Sequence, residues 1–275
     1  MKRFIFAFLS LVSFFCLSQL NNVSAASSTS TSSLPTYSHV YLKAGPYSIL
    51  YAHPTAPFVD ENDRLRIPLR AFNELFGGSV SYQANSKTAQ VVWLGHTFKF
   101  VVGSEKAEVD GQPFRMDTKP VIKDGSISLP IRLFLDTTNL KYHWDSLLRV
   151  LVLDDESILV GEPFMDFKGN DLYPDHKDNT LQVEHYSIKQ LNNGTFQINI
   201  TAKNKTGNDI PAGKADIHPL VSYGKGFGGF ATDSYSRPTY PAISEVKMGE
   251  EVTVTQTFPL EDVQYIITVA RIFSS

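Results

Sequence analysis

The chain has 275 residues, of which 42% are hydrophobic and 19% are charged, and this length leaves room for two domains. Its formal net charge is −3 at pH 7. Without the N-terminal Lys2 and Arg3, 23 basic residues stand against 28 acidic ones. This balance argues against nucleic acid, or an anionic wall polymer, as a partner held by bulk positive charge.

The first 25 residues have the pattern of a secretory signal peptide. Lys2 and Arg3 precede an apolar run over residues 4–17, and small residues lead up to Ala25. The run is shorter than the roughly 20 apolar residues that cross a bilayer. We therefore expect cleavage near Ala25, a secreted or cell-surface location and no transmembrane segment in the mature chain.

The cysteine content indicates the type of exporting cell. Cys16 is the only cysteine, and it lies inside the apolar run after Phe15, where a lipoprotein would carry Gly or Ala. The mature chain then contains no disulfide bond. A chain of this size can fold without disulfides because it buries a large enough hydrophobic core. This pattern fits a Gram-positive bacterium best.

A short polar segment follows the leader. Residues 26–33 are almost only Ser, Thr and Ala, and such a segment has nothing to bury. We expect residues 26–37 to form a flexible tether. From residue 40 the pattern changes to short strands separated by turns, beginning with residues 40–42 and 48–51 around a Gly-Pro turn.

Residues 57–153 contain an internal duplication. Residues 65–74 and 127–136 have the same pattern at a constant offset of 62 residues. A repeat of this kind indicates a duplicated structural unit. The matched pairs are Pro68 with Pro130, Arg70 with Arg132, Phe72 with Phe134, Glu74 with Asp136, and Tyr82 with Trp144.

Each copy predicts a short helix. We place Pro68 and Pro130 in the first turn, where a missing N–H is harmless. The i to i+4 spacing puts an arginine and a carboxylate of each copy on one helix face. Gly77 and Gly78 are expected to end the first helix and Asn139 the second. The apolar residues that should pack on a sheet are Leu69, Phe72, Leu75, Phe76, Ile131, Phe134 and Leu135.

A strand pair is predicted after each helix, at residues 80–82 with 89–92 and at residues 141–144 with 150–153. Asp110 and Gly111, between alternating segments, predict a hairpin. Residues 38–156 are therefore expected to form an α+β domain of antiparallel strands with two short helices, internally duplicated.

This segment resembles the copper amine oxidase N-terminal-like domain, also called a stalk domain, over roughly residues 40–154. The departures are Tyr82-Gln83 in place of the usual Trp-Asp and Asp124-Gly125-Ser126 in place of an Asn-Gly-Arg turn. The resemblance implies an exported protein of a spore-forming Gram-positive bacterium. Its motifs are Pro57-Phe58-Val59, Ile67 to Phe72, Val80 to Tyr82, Gly103, Ala107 to Gly111, Pro120 to Ile122, Leu129 to Phe134, and Trp144-Asp145.

In amine oxidases this domain is a non-catalytic appendage, so the resemblance does not imply oxidase activity. The chain has no Asn-Tyr pair that could supply the quinone-forming tyrosine, and no two histidines stand as His-x-His. We expect no copper amine oxidase activity, no cofactor and no metal.

Residues 157–275 predict a second domain. Alternating strands are indicated at residues 181–184, 186–188, 195–201, 251–258 and 265–270, and Asn193-Gly194 marks a hairpin. Short alternating strands without a helical pattern are typical of an immunoglobulin-like β-sandwich.

Two groups of polar residues are weak site candidates. Arg70 and Arg132 could hold a carboxylate or phosphate, but their duplication at equivalent helix positions favours a structural role. An acidic loop could hold calcium, although it lacks the spacing and glycine of an EF-hand, so we expect a solvated loop. The loop residues are Asp166, Asp171, Asp175, His176 and Asp178.

A glycine-rich segment carries the strongest binding candidates. Aromatic faces stack on sugar rings or on partner proteins, and exposed clusters mark interfaces. The alternative is that the rings fold inward and plug one end of the sandwich. The aromatic residues are Tyr223, Phe227, Phe230, Tyr235 and Tyr240.

The sequence thus favours an exported, non-enzymatic binding or adaptor protein of the cell envelope, with a cell-wall glycan or an envelope protein as partner. No nucleophile elbow, zinc-protease motif or phosphate loop is present in the sequence. An envelope polysaccharide or peptide hydrolase, or its accessory subunit, stays open and would need two carboxylates in one cleft. A structural, self-assembling envelope component is the third alternative.

Overall fold

The computed structural model describes residues 40–161, 164–165, 177–178, 181–224 and 242–272. The predicted leader and tether lie outside these residues. The described part is built of β-strands with two short α-helices, as the alternating apolar pattern and the two helical segments predicted.

The elements follow one another in this order. The first part of the chain forms β1 Tyr41–Ala44, β2 Tyr47–Ala52, β3 Phe58–Val59, β4 Leu65–Pro68, α1 Ala71–Glu74, β5 Ser79–Gln83, β6 Thr88–Trp93, β7 His96–Val101, β8 Lys106–Val109, β9 Gln112–Arg115, β10 Val121–Lys123, β11 Ser126–Pro130, α2 Arg132–Thr138, β12 Tyr142–Asp145 and β13 Val150–Leu153, followed by a 3-10 turn at Glu156–Ile158. The second part forms β14 Lys177–Asp178, β15 Leu181–Gln190, β16 Thr195–Asn204, β17 Ala215–Tyr223, β18 Glu251–Pro259 and β19 Val263–Ile272.

These strands form four sheets. The largest has the order β12-β13-β1-β2-β19-β14, with β17 also paired to β19. Within it, β1 and β13 are parallel and the other pairs are antiparallel. The other sheets are β5 to β9 in sequence order, β10-β11-β4-β3, and β15-β16-β18.

The largest sheet separates two hydrophobic cores. Successive side chains of a strand point to opposite faces, and accordingly Ile49 and Ile267 belong to one core whereas Leu50 and Ile266 belong to the other. The first core contains both helices, and the second contains the inner faces of β15 and β16. The sheet therefore joins the duplicated unit to the C-terminal strands.

The predicted domain boundary at residues 156–157 falls between strands of this same sheet. β1, β2 and β13 precede it, whereas β17 and β19 follow it, and β2 pairs directly with β19. The described residues all fall in one compact unit. A division into domains at this point stays a prediction.

The duplication generates an approximate two-fold axis between β4 and β11. Ile67 and Leu129, which are equivalent at the offset of 62, lie directly opposite each other in the antiparallel ladder. The hydrogen bond from Leu69 N to Ile127 O (2.7 Å) has its counterpart from Ile131 N to Leu65 O (3.2 Å). The two copies thus pair with each other through equivalent residues.

The structure corrects the placement of the two prolines. Pro68 and Pro130 are the last residues of β4 and β11, and the helices begin after them, at Ala71 and Arg132. Proline, which lacks an N–H, is tolerated at the end of a strand as well as in the first turn of a helix. The presence of a proline therefore does not by itself distinguish a strand end from a helix start.

The predicted C-terminal end of the helix is confirmed in the second copy and not in the first. Asn139 is the C-cap of α2 in the left-handed conformation, at φ +55°, which asparagine adopts readily. α1 ends earlier than expected, with Leu75 as its C-cap, two residues before Gly77.

Candidate functional site

The arginine of the first copy is enclosed by its own chain. Arg70 Nε donates to both carboxylate oxygens of Glu74 (3.0 and 2.9 Å), and its Nη1 donates to the carbonyl of His53 (3.2 Å). The guanidinium carbon lies 5.6 Å from the centroid of the Tyr265 ring, within the range of a cation–π contact. These contacts connect α1 to the segment after β2 and to β19.

The arginine of the second copy is more open. Arg132 Nε donates to Asp136 at 3.3 Å, and the Arg132 side chain is 61% exposed, against 34% for Arg70. Tyr142 also donates to Asp136, at 2.6 Å. Burial and the hydrogen bond to this carboxylate raise the pKa of Tyr142 above its ordinary value. The i to i+4 pairs form in both copies, and the two arginines do not converge on one hollow.

The repeated phenylalanines lie in the first core. Phe72 and Phe134 are fully buried, and their ring centroids are 4.2 Å apart. Phe134 also lies 4.4 Å from Phe98 of β7 and packs edge-on against Phe100. The motif therefore places its aromatic rings where the two copies meet, and no ligand can reach them.

A groove of about 340 Å³ opens beside Arg132, at the start of α2. Its walls are the hairpin of β3 and β4 on one side and the edge strand β12 with β13 on the other. Its lining includes Val59, Asp63, Arg64, Arg132, Tyr142 and Trp144.

Aromatic and charged groups meet in this groove. Trp144 is 41% exposed although it is a large apolar residue, and its repeat equivalent Tyr82 is exposed to the same degree without lining the groove. An indole face beside a guanidinium can pack on an apolar ring while the guanidinium donates to a carbonyl or carboxylate oxygen. Asp63 is the only carboxylic acid among the lining residues, so the groove does not supply the carboxylate pair of a glycosidase.

A buried ion pair holds the hairpin wall of the groove, and sequence reasoning missed it. Arg66 Nε donates to Asp60 Oδ2 at 2.6 Å, Nη1 to the Lys119 carbonyl at 2.8 Å, and Nη2 to Thr118 Oγ1 at 2.7 Å. Burial raises the pKa of the Asp60 carboxyl, but hydrogen bonds from Arg64, Asn62 and Arg66 bring it below its ordinary value. The only sequence signal is an Asp and an Arg on either side of a polar turn.

Of the predicted aromatic cluster, only Tyr223 lies in the described part. Its hydroxyl donates to the carbonyl of Pro259 at 3.0 Å, and burial raises its pKa to about 12. Tyr223 therefore ties the end of β17 to the end of β18. Phe227, Phe230, Tyr235 and Tyr240 lie outside the described residues.

The predicted acidic loop lies mostly outside the described residues as well. Asp178 is in β14, whereas Asp166, Asp171, Asp175 and His176 are not described. Among the residues that the structure does describe, no group of three or more His, Cys, Asp or Glu side chains is placed to hold a metal ion. In the same residues, no helix has the length and apolar character needed to cross a membrane.

Comparison with known proteins identifies the duplicated unit. Residues 49–153 match the family described as the copper amine oxidase N-terminal domain. The match includes most of β2, all of β3 to β13, both helices and every residue of the groove. No curated protein matches the chain.

Proposed function

Because residues 49–153 carry a copper amine oxidase N-terminal domain, we propose that the protein is an exported, non-enzymatic binding or adaptor protein of the bacterial cell envelope. The resemblance supports this, since the domain is a non-catalytic appendage in amine oxidases. The signal-like leader, the Ser/Thr-rich tether and the lack of cysteine after residue 25 support secretion to, or retention at, the surface of a Gram-positive cell.

The observation that carries the proposal is the groove beside Arg132. The phenylalanines of the repeat and the arginine of its first copy make internal contacts. Arg132 and Trp144, in contrast, are accessible to solvent and line the same groove. Exposed aromatic and arginine side chains in a pocket are the residues on which binding energy concentrates. The partner is a cell-wall glycan or an envelope protein.

We further infer that the C-terminal strands form an immunoglobulin-like recognition domain. In support, β15, β16 and β18 make one antiparallel sheet that packs over the second core against β17 and β19. Strands facing each other in two sheets are the basis of such a sandwich. The aromatic segment that begins at Tyr223 is proposed as a second contact surface.

Trp144→Ala is expected to weaken retention of residues 26–275 on envelope fractions by about tenfold or more, the loss typical of an aromatic binding residue. Retention is measured by co-sedimentation over a range of protein concentrations. Tyr82→Ala is the matched control, because Tyr82 is the equivalent residue of the first copy, equally exposed and outside the groove. Equal retention of both variants and the unchanged chain would rule out the groove as the binding site.

A further inference from the structure

The groove beside Arg132 lies at an edge of the largest sheet. β12 is an outer strand of that sheet, and Tyr142 and Trp144, two residues apart, point to the same face. Trp144 lies opposite Leu151 of β13, which belongs to the first core. The two rings therefore extend the apolar face of the sheet beyond the core, where Trp144 is 41% exposed. With a volume of about 340 Å³, the groove has the size of a site for a small organic ligand.

Both guanidinium groups of the groove already have a carboxylate partner. Arg132 pairs with Asp136, and Arg64 pairs with Asp117. A guanidinium that a carboxylate neutralises attracts a further anion only weakly, so the groove does not favour a phosphate or a carboxylate. Asp136 accepts from Nε of Arg132 at 3.3 Å, and the other nitrogens of a guanidinium carry further N–H groups. The groove thus offers hydrogen-bond donors without an excess of positive charge.

We propose that the groove binds a neutral oligosaccharide, with one sugar ring packed on Trp144. The inference rests on the proposed binding function and selects the glycan over the envelope protein as the partner. The C–H groups on one face of a pyranose ring pack on the electron-rich face of an indole. Sugar hydroxyls both donate and accept hydrogen bonds. They accept from Arg64 and Arg132, and they donate to the carboxylate of Asp63, which lines the same groove.

The two copies of the repeat differ at the positions that line the groove. The equivalent place in the first copy lacks the carboxylate, one guanidinium and one of the two aromatic rings. Tyr82 is nevertheless as exposed as Trp144, so it is an aromatic residue of equal exposure without these polar neighbours. The pairs at the offset of 62 residues are Val80 and Tyr142, Tyr82 and Trp144, Asp63 and Gly125, and Arg64 and Ser126.

The test measures how far an oligosaccharide protects Trp144 of residues 26–275 from fluorescence quenching by acrylamide. The chain has two tryptophans, and Trp93 is only 3% exposed, so quenching reports on Trp144. We expect the neutral tetramer of N-acetylglucosamine or that of glucose to protect Trp144 saturably. The tetramer of galacturonic acid, which has the same length but is anionic, is expected to bind no more tightly.

Variants locate the bound sugar. In calorimetric titrations with the same tetramers, Trp144→Ala and Arg132→Gln are each expected to weaken binding by about tenfold or more. Tyr82→Ala is expected to leave the affinity unchanged. Loss of the exposed Arg132–Asp136 pair has little effect on folding, and equal melting curves of the variants verify this.

The opposite outcomes overturn the inference, and they separate it from the proposed function. If neither neutral tetramer binds while Trp144→Ala still loses envelope retention, the glycan inference fails and the binding function stands with a protein partner. Tighter binding of the galacturonic acid tetramer would show that the groove recognises negative charge. Tetramer binding that Trp144→Ala leaves unchanged would place the sugar elsewhere on the chain. If Trp144→Ala alters neither tetramer binding nor retention, the proposed function of the groove fails as well.

Discussion

Phe134→Ala is expected to lower the free energy of unfolding by about 3–5 kcal/mol, the usual cost of removing a buried phenylalanine ring. Phe134 is 1% exposed and contacts the rings of Phe72, Phe98 and Phe100. Its removal leaves a cavity where the two copies of the repeat and the five-stranded sheet meet. Urea unfolding followed by far-UV circular dichroism measures the change.

The control for this variant is Phe114→Ala. Phe114 is the same residue type on β9 but is 44% exposed, so its loss should cost well under 1 kcal/mol, as most surface substitutions do. Equal costs for the two variants would show that Phe134 does not lie in the core as described. A Phe72→Ala, Phe134→Ala double-mutant cycle is expected to give a coupling of about 0.5–1.5 kcal/mol.

Asp60→Ala is expected to destabilise the fold by about 3–5 kcal/mol at pH 7, because it leaves the guanidinium of Arg66 buried without its carboxylate. The side chains of Arg66 and Asp60 are only 3% and 10% exposed. The same substitution removes the acceptor of the N–H groups of Asn62 and Arg64 in the turn. Chemical unfolding at several pH values measures the effect.

The pH dependence of this effect has a definite sign. The pKa of Asp60 is lower in the folded chain than its ordinary value of 3.8, so the folded state favours the ionised carboxyl. Its contribution is fully present above pH 3.8 and is lost as the pH falls through the folded pKa. The difference between the unchanged chain and Asp60→Ala should therefore shrink below about pH 3.8. A stability difference between the unchanged chain and Asp60→Ala that stays constant down to pH 2 would contradict the assignment.

The offset of 62 residues was the most informative sequence signal. It predicted the duplicated unit, the two helices, their i to i+4 ion pairs and the burial of Phe72 and Phe134. These features follow from local spacing, which a single sequence displays directly. The pairing of Ile67 with Leu129 joins the two copies. The offset alone does not predict this contact, because it does not give the register of β4 against β11.

Long-range pairing could not be predicted. Nothing local in β1 or β2 indicates that they join β13 on one side and β19 on the other. β17 was not among the predicted strands, and Asp216, His218 and Pro219 interrupt its apolar pattern. In the structure, the proline is accommodated because β17 pairs with β19 alone among the described strands, and a proline on an edge strand breaks no ladder bond on its free side.

The groove was also invisible in the sequence. Tyr82 and Trp144 are equivalent positions of the repeat in the sequence, although Trp144 lines the groove and Tyr82 does not. In the first copy, the chain's own residues His53 and Thr55 contact Arg70 and Lys123, whereas Arg132 of the second copy lies open beside the groove. Such an asymmetry depends on tertiary contacts that local patterns do not encode.

Site-specific photo-crosslinking tests the central claim most directly. Benzoylphenylalanine is introduced at position 144 or at position 82 of residues 26–275, and each protein is irradiated with an envelope preparation. The account predicts a crosslinked product of higher mass from position 144 and none from position 82. Equal crosslinking from both positions, or crosslinking from position 82 alone, would contradict a binding site confined to the open copy of the repeat.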